Sequence, residues 1–158
     1  MSKKLVAYFS ASGITAKLAE RLARLVDADL YEIQAEQPYS AADLDYKDKN
    51  SRSSIEMVVD KSIRPAVAGK VENMEQYDVV YLGFPIWWYV APTIVNTFLE
   101  GYDWTGKTII PFATSGRTPM GNTNAELAPS CPGAKLVEGL RFDTDVEDAE
   151  LKAWAEQF

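Results

Sequence analysis

Short apolar runs alternate along the chain with segments whose apolar residues recur at helical spacing. In the segment that begins at Ile14, leucines follow at positions 18, 22 and 25, while charged residues occupy the opposite face. The central apolar runs lack the polar alternation of a strand that has one face in water. The pattern predicts five strands, at Lys4–Phe9, Asp29–Ile33, Val79–Gly83, Lys107–Ala113 and Lys135–Phe142.

Helices are predicted between most of these strands and after the last one. The predicted helices are the segment that begins at Ile14, Pro92–Leu99, Asn122–Leu127 and Asp145–Phe158, the last of them capped by Thr144. Apolar strands that alternate with helices predict a parallel sheet covered by helices on both faces. Because crossovers between parallel strands are right-handed, we expect a single α/β domain, residues 1–158, with a doubly wound five-stranded sheet of order 2-1-3-4-5.

One long polar stretch, Gln37–Gly69, interrupts this alternation. Two prolines break it, and we predict only a short helix near Asp43–Lys49, with little core of its own. Tyr46, Arg52 and Arg64 fall within this stretch, and we interpret them as surface residues. The alternative is that they contact a ligand or a partner.

The composition excludes several kinds of chemistry. The 158 residues include no histidine, which excludes Ser–His–Asp and Cys–His catalysis and any histidine-ligated metal. The single cysteine, Cys131, has no partner in the chain for a disulfide. Sixteen basic and 23 acidic residues give a net charge of −7, which would repel nucleic acid. The acidic residues concentrate in Asp143–Phe158, as either a solvated helix face or a docking surface for a basic partner.

Membrane insertion is not expected. The N-terminal apolar run is too short for a signal peptide. Val79–Leu99 is uncharged and long enough to span a bilayer, but a glycine and two prolines interrupt it, and its polar residues return at helical spacing. A buried strand, a loop and a half-buried helix explain this segment better, so we expect a soluble cytoplasmic protein.

Ligands of doubly wound sheets bind at the carboxyl ends of the strands where the strand order reverses, here strands 1, 3 and 4. The loop after strand 1 carries hydroxyls at Ser10, Ser12 and Thr15 around Gly13 and Ile14. Backbone amides at a helix N-terminus bind anions, and hydroxyls add donors without charge. This loop therefore suits a phosphate monoester held by neutral donors. The alternative is a serine-rich turn that only caps its helix.

The other two loops suit a flat ring. Pro85 and Ile86 lead into three consecutive aromatic residues, Trp87, Trp88 and Tyr89, just beyond the buried third strand. The alternative for these aromatics is packing against the following helix. The loop after strand 4 is built from small residues that allow close approach of a planar ligand, namely Ala113, Thr114, Ser115 and Gly116.

Two of these segments resemble a known family. Residues 8–15, YFSASGIT, resemble the phosphate loop of flavodoxins, and residues 83–92, GFPIWWYVAP, resemble the flavin-ring loop of short bacterial flavodoxin-like proteins. The resemblance implies FMN as the ligand. It implies that the loop at Ser10–Thr15 holds the ribityl phosphate, that Pro85–Tyr89 covers one side of the isoalloxazine, and that residues 113–116 lie at its pyrimidine side. If residues 87–89 are extended, alternate side chains point opposite ways, and Trp88 is slightly favoured over Trp87 as the ring in contact.

The function expected from this resemblance is electron transfer between redox partner proteins, with a basic docking surface on the partner. The alternative is an FMN-dependent NAD(P)H:quinone or nitro reductase on the same fold, so whether the chain is an enzyme stays open. A response-regulator receiver is excluded, because such domains need acidic residues where this chain has Phe9–Ser10 and Phe84–Pro85.

Overall fold

Strands and helices alternate through most of the chain in the computed structural model, which describes residues 3–115 and 119–158. The strands are β1 (Lys3–Tyr8), β2 (Asp29–Glu32), β3 (Gln34–Ala35), β4 (Val67–Ala68), β5 (Tyr77–Pro85), β6 (Thr108–Thr114), β7 (Lys135–Leu136) and β8 (Leu140–Phe142). The α-helices are α1 (Ile14–Val26), α2 (Arg52–Ser54), α3 (Thr93–Glu100), α4 (Thr123–Leu127) and α5 (Asp148–Ala155). Short 3₁₀ turns occupy Met74–Gln76 and Ala128–Ser130.

The main sheet is parallel and has the order β2-β1-β5-β6-β7, with β8 beside β6 in the same outer position as β7. This confirms the predicted order 2-1-3-4-5. The predicted last strand is divided in two, and Pro111 supplies a physical reason. The carbonyls of Lys107 and Ile109 accept from the backbone N–H groups of Lys135 and Val137. Because every second residue of a strand directs its backbone polar groups to the same side, Pro111 also faces this edge, where it has no N–H to donate.

Helices cover both faces of the sheet, as the apolar strands predict. Along β1, Val6 and Tyr8 face α1 and α5, whereas Leu5 and Ala7 face the layer that contains α3. The first layer is closed by Tyr81, whose hydroxyl donates 2.8 Å to the carbonyl of Ala155. The doubly wound α/β class is therefore confirmed.

The segment between β2 and β5 differs from its prediction. The expected helix at Asp43–Lys49 is absent, and residues 41–50 form successive turns in which aspartate side chains accept from nearby backbone N–H groups. Such local bonds compete with helix formation. The helix begins later, at α2, where Ser51 Oγ accepts from the N–H of Ser54, and continues as a π-helical turn at Ile55–Val59. β3 and β4 pair antiparallel and close the base of the segment.

The last helix also begins later than predicted. Glu147, not Thr144, occupies the N-cap, and residues 143–145 form a turn before it. The Arg21 guanidinium donates to the carbonyl of Val146 and to Asp148, which ties this turn to α1. Within the described part of the chain, no helix is long and apolar enough to cross a bilayer.

Candidate cofactor site

Loops from the carboxyl ends of the central strands converge on one cleft of about 710 Å³, a size typical of small-ligand sites. All three predicted loops contribute to it, and a fourth, after β8, was not predicted. The lining residues are Ser12, Ile14, Pro85, Ile86, Trp87, Thr114, Ser115, Asp143, Thr144 and Asp145. The fourth loop was not predicted because Thr144 and Asp145 were expected to cap and begin the last helix.

The loop after β1 ends in a left-handed glycine. Gly13 is the N-cap of α1 with φ of 91°, and its N–H donates 3.0 Å to Ser10 Oγ. With glycine at the N-cap, no side chain caps the helix there, and the first turn of α1 contains no acidic residue. Ser12 is exposed at the cleft, and Ile14 keeps 46% of its surface exposed beside it. The helix N-terminus is thus open to an anion.

Thr15 joins the first loop to the third. Its hydroxyl lies 2.7 Å from the hydroxyl of Thr114, and both side chains are buried. The carbonyl of Thr114 also accepts from the N–H of Ile86, at 3.2 Å. These contacts tie together the loops after β1, β5 and β6. Thr15 therefore positions the site from beneath rather than lining the cleft.

The remaining predicted residues of the third loop fall in different places. Ala113 is fully buried in β6 and does not line the cleft. Ser115 does line it, and its carbonyl accepts a 3.0 Å hydrogen bond from Arg141, which also pairs with Asp143. Arg141 thereby connects the third and fourth loops. Gly116 lies outside the described residues.

The aromatic loop is a tight reverse turn and not the extended segment that the prediction assumed. Trp87 and Val90 exchange backbone hydrogen bonds of 2.9 and 3.2 Å across Trp88 and Tyr89. Both central residues have positive φ, 51° and 68°, a conformation that normally selects glycine or asparagine. A Cβ at Gly121 would collide with the carbonyl oxygen of Tyr89, so a glycine is required against this turn.

The turn separates the three aromatic side chains. Trp87 lines the cleft, together with Pro85 and Ile86. Trp88 and Tyr89 instead line a second cavity of about 480 Å³, to which Ile86 and Trp87 also contribute. The geometry therefore favours Trp87, and not Trp88, as the ring that faces a ligand in the cleft.

Trp87 is held by an aromatic cluster that the sequence prediction did not identify. Its ring meets Phe9 edge-on at 5.7 Å and Tyr39 edge-on at 5.5 Å. Arg52 lies 3.9 Å over the Tyr39 ring and pairs with the buried carboxylate of Glu56 at 2.9 Å. Arg52 is thus half-buried and not the surface residue expected. The i,i+4 spacing of Arg52 and Glu56 was a local signal for their pairing, whereas no local signal marks the contacts of Tyr39 with Trp87 and Arg52.

Arg64 and Tyr46, the other two residues of the polar stretch that were predicted to lie on the surface, are exposed. Arg64 pairs with Glu100 at 3.0 Å on the surface, and Tyr46 is 69% exposed at the second cavity.

Burial and the hydrogen bond to Glu56 raise the pKa of Tyr39 far above its usual range. Tyr39 therefore stays protonated and remains a donor to Glu56 at all ordinary pH values.

Comparison with known proteins identifies the family. A family model described as flavodoxin matches residues 3–158, nearly the whole chain. The chain belongs to the flavodoxin family. This confirms the resemblance inferred from the two loops. No curated protein matches the chain.

Solved structures support the same assignment. A crystal structure from Bacteroides eggerthii DSM 20697, provisionally assigned as a flavoprotein, is 48% identical with a TM-score of 0.92, over 99% of this chain and 98% of that one. A similarly assigned structure from Bacteroides uniformis ATCC 8492 is 47% identical with a TM-score of 0.91, over 98% of each chain. The flavoprotein of Lactobacillus acidophilus NCFM, crystallised in complex with FMN, shares the fold at 22% identity, with a TM-score of 0.73 over 98% of this chain and 99% of that one.

Proposed function

We propose that this flavodoxin-family chain binds FMN in the cleft and carries electrons between protein partners in the cytoplasm. The observation that carries the proposal is the convergence of an anion-binding loop and an apolar aromatic wall on one cleft. Thr114 joins these two parts, because its buried hydroxyl lies 2.7 Å from that of Thr15 and its carbonyl accepts from the N–H of Ile86 at 3.2 Å. The site therefore combines, in one place, features suited to a phosphate and to a flat ring.

The first loop fits the phosphate of FMN. Ser12 presents its hydroxyl at the cleft, and the open N-terminus of α1 adds backbone N–H donors and a favourable dipole. Ser10 lines a neighbouring pocket instead, and its oxygen shapes the loop by accepting from the N–H of Gly13. Neither acidic nor basic side chains occur at residues 10–15. A phosphate monoester would thus be held by neutral donors without a counter-ion from this loop.

The aromatic wall fits the isoalloxazine. Pro85, Ile86 and Trp87 give an apolar surface, and Thr114 and Ser115 lie on the β6 side of the same cleft. We infer that Trp87 contacts the ring, supported from behind by Phe9 and Tyr39. The cofactor would supply the redox chemistry, and the protein would supply binding and the electrostatic environment.

Charge near the cleft supports a low-potential carrier. Asp143 and Asp145 line the cleft, and with the bound phosphate they would oppose further negative charge on the reduced cofactor. Arg141 offsets part of this, because it pairs with Asp143 at 2.7 Å. Residues 143–158 contain six acidic residues and one lysine, which suits a partner with a basic docking surface.

Titration of the apoprotein with FMN, riboflavin and FAD tests the cofactor assignment. We expect the tightest binding for FMN, detected as loss of flavin fluorescence, because only FMN presents a terminal monoester to the loop at Ser10–Thr15. Protein that binds none of the three would refute the proposal. Equal affinity for FMN and riboflavin would refute the assignment of the phosphate loop.

A second experiment separates the carrier from a reductase. The photoreduced holoprotein should reduce cytochrome c, a basic acceptor, at a rate that falls steeply with ionic strength because surface charge steers the encounter. NADPH alone should leave the flavin absorbance unchanged. Rapid bleaching of the flavin by NADPH would favour the NAD(P)H-dependent reductase instead.

A further inference from the structure

A second cavity of about 480 Å³ lies beside the proposed FMN cleft. Leu44, Tyr46 and Ser53 of the polar stretch form one wall, and the turn at residues 86–89 forms the other. Ile86 and Trp87 line both spaces, so the two are neighbours. The polar stretch thus builds a site that the phosphate loop and β6 do not reach.

The lining has the chemistry of a site for a neutral flat molecule. Among the residues that the structure describes, none of those lining this cavity is charged, and four of them are aromatic. Ser53 offers one polar handle: its side chain is buried, and among the described residues its hydroxyl has one hydrogen-bond partner, Ser51 Oγ, at the long distance of 3.5 Å. Because Ser51 Oγ itself donates to Ser54 Oγ, Ser53 is the donor in this long contact, and its proton would turn from Ser51 to donate to a ligand carbonyl oxygen.

The local backbone supports a ligand role for this wall. Trp88 and Tyr89 hold left-handed conformations that disfavour large side chains, and such strain concentrates at functional sites. The turn leaves Tyr89 63% exposed and Tyr46 69% exposed across the same cavity. A planar aromatic molecule would cover these surfaces, which the protein itself leaves open.

We propose that this second cavity binds a small, uncharged aromatic dicarbonyl of the quinone class, with its ring against Tyr46 and the aromatic turn. Binding does not require FMN, whereas the position beside the flavin rests on the proposed function. The experiment therefore measures the two ligands separately.

Equilibrium dialysis of menadione against the full-length protein, with and without saturating FMN, tests this site. We expect one menadione per chain under both conditions. Tyr46→Ala should weaken menadione binding about three- to ten-fold, in line with the loss of one aromatic contact, and leave FMN affinity unchanged. Ser53→Ala should weaken menadione while retaining binding of naphthalene, which has no carbonyl. Reaction of menadione with Cys131 is disfavoured, because burial raises the pKa of that thiol.

Phe158→Ala is the matched control, since it removes another partly exposed aromatic ring that does not line this cavity. It should change neither affinity. Displacement of menadione by FMN, or an equal loss of FMN binding in Tyr46→Ala, would mean that the flavin ring occupies this cavity and would overturn the proposal. Menadione binding that is unaffected by Tyr46→Ala would overturn it as well. Failure of FMN alone to bind would refute the proposed function and leave the menadione result standing.

Discussion

The Tyr39 hydroxyl donates a 2.5 Å hydrogen bond to Oε1 of Glu56, and this bond connects the polar stretch to the aromatic site. Glu56 is buried, and its second oxygen accepts from Arg52 at 2.9 Å. Arg52 also donates 2.6 Å to the carbonyl of Gln37 and stacks on Tyr39. Because Tyr39 packs edge-on against Trp87, this cluster supports the wall of the cleft from behind.

Disrupting this cluster should affect both stability and the ligand site. Glu56→Gln removes the charged acceptor of two hydrogen bonds and should lower the free energy of unfolding by about 1.5–3 kcal/mol. It should also weaken FMN binding through loss of order at Trp87. Urea unfolding and FMN titration measure the two effects. Lys61→Gln, which breaks an exposed 3.6 Å ion pair with Glu126, is the control and should cost less than about 1 kcal/mol.

The phosphate loop can be tested with one hydroxyl. Ser12→Ala removes a donor to a charged oxygen, an interaction worth about 1.5–3 kcal/mol, so FMN affinity should fall at least several-fold. Riboflavin affinity should hardly change, because riboflavin has no phosphate. Ser62→Ala, which alters an exposed serine bound to Asp60, is the control. Parallel losses for FMN and riboflavin would show that Ser12 does not contact the phosphate.

The aromatic turn allows a comparison of adjacent tryptophans. Trp87→Ala should weaken FMN binding by about 0.5–1.5 kcal/mol beyond the buried area, and raise the midpoint potential, because stacking favours the oxidised planar ring. Trp88→Ala, whose side chain lines the second cavity, should leave both quantities nearly unchanged. FMN titration followed by potentiometry of each holoprotein measures both. The reverse ranking would place the ring on the Trp88 side.

The contact between Thr15 and Thr114 is suited to a double-mutant cycle. Thr114→Val leaves the Thr15 hydroxyl buried without this partner and should cost about 1–3 kcal/mol of stability. The double variant Thr15→Val/Thr114→Val should cost less than the sum of the single variants, because neither unpaired hydroxyl remains. Urea denaturation of the three variants gives the coupling. Strict additivity would mean that the hydroxyls do not interact.

Alkaline pH should destabilise the fold through Tyr81. Burial, with a smaller contribution from the nearby charge of Glu156, raises the pKa of Tyr81 to about 12, against an ordinary value of 10.0. The folded protein therefore holds this proton more tightly than the unfolded chain, and the stabilisation present below pH 10 is lost as pH rises towards 12. The expected loss is about 1–3 kcal/mol. Tyr81→Phe should start less stable and lose less over that interval, as followed by thermal unfolding at several pH values.

Local periodicity was sufficient to predict most of the architecture. Each apolar run of the main sheet has its own strand signature, and α1 and α3 show their buried faces within a few turns. Parallel strands then require crossover helices, and this requirement limits the strand order to few choices. The point where the strand order reverses follows from that order. The cleft and the loops at Ser10–Thr15 and Pro85–Tyr89 could therefore be located from the sequence alone.

Tertiary structure decided how those loops are arranged. Thr15 and Thr114 are 99 positions apart, and the partners of Trp87 come from residues 9, 39 and, through Tyr39, 52 and 56. Nothing in a local window encodes such contacts, because each depends on where the sheet brings distant segments together. The late start of α2 is by contrast a local effect, in which aspartate side chains and a serine cap outweigh helical propensity. The reverse turn at Trp88 and Tyr89 does depend on tertiary structure, because packing against Gly121, more than 30 positions away, favours it over an extended chain.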